Sequence, residues 1–142
     1  MLNREDALQM IEEAYAARVR GDKEALARYW AEGATFQIAG DATLAHGVPF
    51  QSANPMTAIS ELVDRFQFSD LKRLNAIVEG NTAAVRWEVT LNVAGNPPAQ
   101  TQLFDLIELD DEGKIRSFVQ FADTALVRRL AEPIGELIDQ QV

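Results

Sequence analysis

From Asn3 to Arg20 the apolar side chains Leu8, Ile11, Tyr15 and Val19 recur at helical spacing, and Gly21 follows where a left-handed stop is tolerated. Asp22 is placed to cap a second helix over 23–31, which turns Leu26, Tyr29 and Trp30 inward and ends by Gly33. Ala34, Phe36 and Ile38 alternate with Thr35 and Gln37, which predicts a short strand. An irregular stretch, AGDATLAHGVPFQSANP, leads to Asn54 and Pro55, a helix-start pair ahead of the stripe Ile59, Leu62, Val63 and Phe66. The pattern then changes to strict alternation. Residues 69–79, 82–94, 99–109 and 114–122 read as four strands, and the connections GN, GNPP and DDEG are short enough for an antiparallel meander. Asp123 and Thr124 offer caps for a last helix bearing Leu126 and Leu130, which Pro133 disturbs before Ile134, Leu137 and Ile138.

Such an order is α+β, and it fits one domain over 1–142 with no linker composition to divide it. The economical arrangement is a cone-shaped, curved, mostly antiparallel sheet wrapped around three to four helices. A half-open cone of this kind has a mouth. One strand carries a residue out of pattern. In LFDLIELDDEGKI, Asp105 shares its parity with Leu103, Ile107 and Leu109, while Phe104 and Leu106 lie on the other face, so neither face is plainly solvent. A carboxylate among such neighbours either lines a pocket, where desolvation raises its pKa, or is satisfied by a neighbouring side chain or a dimer interface.

A hydrophobic share of 47% and a charged share of 25% are ordinary for a globular chain, and 142 residues bury roughly two-thirds of their unfolded surface around one core. Twenty-two acidic against 13 basic residues, a formal net charge of −9, set the surface against phosphate backbones and anionic lipids, so neither nucleic acid nor membrane is an expected partner. Without cysteine there is no disulfide framework, thiol nucleophile or thiolate metal site. The polar start and the lack of a long apolar run give the expectation of a cytoplasmic protein. Neither a glycine-rich phosphate loop nor a serine nucleophile motif occurs, and a single histidine cannot build a multi-histidine metal site. Cofactor-free chemistry, or none, is the expectation.

The element order, the RGDKEAL junction, the EGATFQI strand and the DEGKIRSFVQFADTALV ending resemble the nuclear transport factor two-like superfamily, a cystatin-like fold, over nearly the whole chain. Its SnoaL-like polyketide cyclases, ketosteroid isomerases and limonene epoxide hydrolase are the nearest in style. The resemblance implies an apolar pocket, frequent homodimerisation, and either enzymes or non-catalytic binders, since fold does not settle function. Against ketosteroid isomerase, Asp105 falls where the family keeps a neutral aspartic acid in an oxyanion hole, a case known in detail. The general-base aspartate aligns with Ile38 and the first-helix tyrosine with Ala14. Tyr15 is one position, about 100° of helix, away, which disfavours steroid isomerisation by that mechanism. Against limonene epoxide hydrolase, Arg86 and Glu88 have the spacing of its Arg-x-Asp pair, but its second aspartate falls at Gln120, which orients water without deprotonating it. Against the SnoaL-like cyclases, Asp123 lies close to a carboxylate proposed to abstract a proton.

The candidate catalytic residues are therefore Asp105, Gln120, His46 and Asp123. Each has a plainer alternative: a satisfied core polar group for Asp105 and Gln120, an incidental loop position for His46, and a helix N-cap for Asp123. Candidate ligand contacts are Tyr15, Trp30, Phe36, Phe50, Phe66, Phe118, Arg86 and Glu88. The aromatic ones, with Trp87, are otherwise core, and Arg86 with Glu88 otherwise form a cross-strand pair on the convex side or in a dimer interface. The function expected is a small cofactor-independent isomerase, cyclase or hydratase acting on an apolar carbonyl-bearing or polycyclic molecule. The alternative is a non-catalytic ligand-binding or dimerisation module.

Overall fold

The computed structural model of the chain describes residues 3–40, 51–52 and 54–131. Helix α1, Arg4–Arg20, begins where the Asn3 side chain accepts the Asp6 N–H at 2.8 Å and ends at Gly21, whose φ of 71° a residue with a Cβ adopts only under strain. Asp22 then accepts from Ala25 N at 3.0 Å and starts α2, Lys23–Ala27. That helix stops before the predicted end, because Trp30 is already paired with Ile115 and opens strand β1, Trp30–Ile38. Gly33, with a φ of 74°, sits in the β1 bulge between Trp30 and Thr35 and so belongs to the strand. A two-residue strand β2, Gln51–Ser52, which the alternation did not predict, pairs antiparallel with β1. Helix α3, Pro55–Arg65, is capped by Asn54, with Pro55 in its first turn as the helix-start pair requires.

Strands β3 (Gln67–Glu79), β4 (Thr82–Asn92), β5 (Ala99–Leu109) and β6 (Ile115–Phe121) form the predicted meander, with ends within two residues of the expected bounds. A further helix, α4, covers residues 124–131. The sheet order is β2-β1-β6-β5-β4-β3, antiparallel except for the parallel pair β1 and β6. Register shifts within β3, between β5 and β6, and in β1 bend it, since each extra residue raises the local twist. The architecture is α+β, with the helices packed on the inner face of this curved sheet. Among the described residues no helix is long and apolar enough to cross a membrane.

Period-two alternation along β4 and β5 sends Val85, Trp87, Val89, Leu103 and Ile107 inward, where all are buried. α1 closes over this face and is tied to β3 by the Arg73 to Glu12 ion pair at 3.0 Å. Its buried stripe runs Leu8, Ile11, Tyr15 and Arg18, at steps of three and four residues, whereas Val19 is 38% exposed. The inward-facing end of the helix therefore carries a cation where the sequence predicted a valine.

Candidate functional site

Strand register brings the first two polar groups together. Asp105 on β5 lies directly opposite Gln120 on β6, in one inner-face row that continues to Val85 on β4 and Ile38 on β1. Trp87 is two residues along β4 from Val85 and thus diagonal to Asp105, within reach of a long aromatic side chain. Tyr15 approaches the same point from α1. The Asp105 carboxyl is fully buried and accepts three hydrogen bonds: the Tyr15 hydroxyl and Trp87 Nε1 donate to Oδ2, the latter at 2.9 Å, and Gln120 Nε2 donates to Oδ1 at 3.1 Å. Gln120 Nε2 also donates to the Tyr15 hydroxyl oxygen at 3.2 Å.

Burial pushes the Asp105 carboxyl up to about 7, against the three hydrogen bonds, which pull it down. Tyr15 is raised well above its ordinary value, first by burial and then by the Asp105 charge. Asp105 is therefore the member of the pair that gains or loses a proton near neutral pH, while Tyr15 keeps its own. With Asp105 ionised, Tyr15 donates to it. With Asp105 protonated, the acid donates to Tyr15, whose own proton then turns toward whatever lies in front of it.

In front lies a cavity of about 80 Å³ between α1, α3 and the inner face of the sheet. Its wall is apolar over most of its extent, with Leu26, Ile38, Ile59, Leu62 and Leu103 among the aliphatic contacts. Trp30, Phe36 and Phe118 form one aromatic cluster, Trp30 stacked on Phe118 with ring centroids 5.7 Å apart. Among the described residues, Tyr15, Arg18, Trp30 and Gln120 are the wall residues with polar side-chain groups, whereas Asp105 and Trp87 are not among the wall residues and lie behind Tyr15 and Gln120.

The family model for the SnoaL-like domain matches residues 11–118. This chain belongs to that family. The match includes Tyr15 and Asp105 and stops two residues short of Gln120. Solved structures of the same shape include a nuclear transport factor two-like protein of unknown function from Burkholderia pseudomallei, with a TM-score of 0.72 and 17% identity, covering 89% of this chain and 97% of that one. An LEH-like epoxide hydrolase of M. tuberculosis gives 0.68 and 14%, covering 95% and 96%. The epoxide hydrolase/cyclase-like enzyme SalBIII, of pyran ring formation in salinomycin, gives 0.68 and 19%, covering 86% and 94%. Likeness at these identities extends to the fold, and no curated protein matches the sequence.

Within this SnoaL-like domain the candidates separate. Gln120, Tyr15, Trp30, Phe36, Phe66 and Phe118 are in the cavity wall, and Asp105 backs it. Tyr15 reaches Asp105 despite the one-position offset. The rotation of α1 over the sheet, which residue counting does not contain, aims Tyr15 inward and leaves Ala14 beside it in the wall. Arg86 and Glu88, by contrast, lie on the outer face: Arg86 donates to Asn75 and Gln102, at 2.8 and 3.4 Å, and Glu88 accepts from Gln100 at 3.2 Å. Their shared parity with Ala84 and Leu106 sends them away from Val85 and Trp87, so they are not cavity contacts. Asp123 is also no wall residue, because it caps α4 by accepting from Leu126 N at 3.1 Å. His46 and Phe50 lie outside the described residues, as do Pro133, Ile134, Leu137 and Ile138. Among the described residues no group of three or more His, Asp or Glu side chains is arranged to hold a metal ion. Arg18 was missed, although its place three residues after Tyr15 and seven after Ile11 marked it as an inward position.

Proposed function

We propose that this SnoaL-like domain is a small cofactor-independent enzyme of the isomerase, cyclase or hydratase kind, acting on an apolar carbonyl-bearing molecule held in the cavity. The observation that carries this reading is the buried Tyr15, Asp105 and Gln120 group behind an otherwise apolar wall. Tyr15 is the group that meets the ligand oxygen. When Asp105 holds its proton and hydrogen-bonds through it to Tyr15, the tyrosine hydroxyl is free to donate to a carbonyl and to stabilise the enolate oxyanion formed as a solvent water molecule takes the proton of the adjacent C–H bond. Gln120 spends its amide hydrogens on Asp105 and Tyr15, which leaves its carbonyl oxygen as an acceptor for substrate or water. Asp105 is thus a positioning and proton-supplying residue acting through Tyr15. Ile38, in the wall where the family resemblance puts a general base, supplies no proton acceptor.

Exchange of the methyl protons of 2-acetylnaphthalene into D2O, followed by NMR, tests the reading. Wild-type protein should accelerate exchange, more strongly below pH 7 than above it, and Tyr15→Phe should lose about two orders of magnitude, the usual weight of one oxyanion donor. Acceleration that survives Tyr15→Phe would reject the assignment. Binding without exchange would favour the second reading, a non-catalytic ligand binder, for which the apolar Ile38 position speaks.

The partner we propose is a second copy of the chain. Ile77, Leu106, Phe104 and Phe121 are exposed on the outer face, and the register sets Ile77, Ala84, Leu106 and Val119 in one row beside Phe104 and Phe121. An apolar patch of this kind on an acidic protein suits isologous pairing.

A further inference from the structure

The Asp105 group does not use the cation that the described residues bring to the cavity wall. Arg18 is nine-tenths buried, and among the described residues it forms no ion pair. Its Nη2 donates to the carbonyls of Leu62 and Phe66 at the C-terminal end of α3, and the Phe68 ring lies 3.8 Å from its Cζ. Those contacts suit a cation, since a helix C-terminus and a ring face are both electronegative. They account for Nη2 and leave Nη1 buried without a hydrogen-bond partner among the described residues. Burial lowers the Arg18 pKa to about 10, so the group is still charged at neutral pH. Tyr15 and Asp64 are the titratable groups that favour its charged form, but Tyr15 is neutral and Asp64 is already paired with Lys23 at 2.8 Å.

A second orphan lies in the same wall. Trp30 Nε1 is buried and has no acceptor among the described residues. Both unmatched groups are donors, one of them cationic, and a buried donor without an acceptor is costly. Two residues of the wall thus carry buried donors that lack an acceptor among the described residues, and the one on Arg18 suits a negatively charged acceptor. With Nη2 held by the two carbonyls, Nη1 is the part of the guanidinium left to make a charge-assisted hydrogen bond to a carboxylate. Formal net charge offers no general attraction for an acid, because the surface is negative, so the recognition must be local.

We propose that the cavity selects ligands bearing a carboxylate on an apolar body, and that Arg18 receives the carboxylate through Nη1. This deepens the functional reading above and rests on the cavity being a ligand site. It narrows the substrate class from apolar carbonyl compounds to apolar acids whose reacting carbonyl faces Tyr15 while the acid group faces Arg18.

The test is calorimetry at pH 6 with two probes of similar shape, 2-naphthoate and 2-acetylnaphthalene, on wild-type protein, Arg18→Gln and Arg18→Lys. Wild type should bind the carboxylate at least tenfold more tightly, Arg18→Gln should bring the ratio to about one, and Arg18→Lys should keep part of the preference. Equal binding by wild type, or a preference that persists in Arg18→Gln, overturns the role of Arg18 and leaves the cavity reading standing, because the ketone still binds. Failure of both probes to bind wild type overturns both. Circular dichroism identifies a variant that does not fold. In that case the Arg18 Nε–Hε resonance of wild type carries the test: it should shift on adding 2-naphthoate and not 2-acetylnaphthalene, and a resonance unmoved by 2-naphthoate overturns the proposal.

Discussion

Asp105 shows how one buried group couples chemistry to stability. Its folded pKa of about 7 lies well above the ordinary carboxyl value of about 4. Between the two, the folded chain holds a proton that the unfolded chain has released, so stability falls as pH rises from about 4 to about 7 and is level beyond. A difference of that size corresponds to roughly 4 kcal/mol. Urea titrations at pH 5 and pH 8 should therefore show wild type losing stability relative to Asp105→Asn across that interval, the neutral amide carrying no such penalty. An identical pH dependence in both proteins would mean that Asp105 stays ionised throughout. The existence of a buried carboxylate here was legible from the parity of Leu103, Ile107 and Leu109. Its partners were less so. Gln120 follows from cross-strand register, Trp87 from a diagonal, and Tyr15 from the rotation of a helix 90 residues earlier in the chain.

Elements explain why some candidates fell away. Asp123 looked like a proton acceptor by its position near the last strand, yet the turn into α4 spends its side chain on Leu126 N. Asp123→Ala should cost about 1 kcal/mol of stability, as loss of an N-cap does, and leave the affinity for 2-acetylnaphthalene unchanged at temperatures where the variant is folded. A large loss of affinity with stability intact would return Asp123 to the site. Arg86 and Glu88 have the right spacing but the wrong face, and a period of two makes that an all-or-none outcome. Helix caps and turns were readable because their rules are local: Gly21, Asp22 and Asn54 all act where the sequence put them. The start of β1 was not, because Trp30 owes its strand conformation to Ile115, far along the chain.

The two faces of the sheet differ, the inner one lining the cavity and the outer one carrying the exposed apolar residues Ile77, Phe104, Leu106 and Phe121. If those residues pair two copies, Leu106→Lys should convert a dimer to a monomer by size-exclusion chromatography with light scattering, with 2-acetylnaphthalene binding retained. A wild-type protein that is monomeric at micromolar concentration would reject the pairing. The α+β architecture and the meander were within reach of the pattern of apolar positions, because alternation, caps and short turns are dictated by neighbours in the chain, and the family came from the resemblance of the RGDKEAL, EGATFQI and DEGKIRSFVQFADTALV segments. The suspicion of a carboxylate in an apolar place came from that pattern as well. Which polar groups share the cavity wall depended on how α1 is rotated over the sheet and how β5 meets β6, distances that no local rule contains. That packing moved Tyr15 from a near miss onto Asp105, turned Arg86 and Glu88 outward, and left Arg18 as an inward cation whose Nη1 has no hydrogen-bond partner among the described residues.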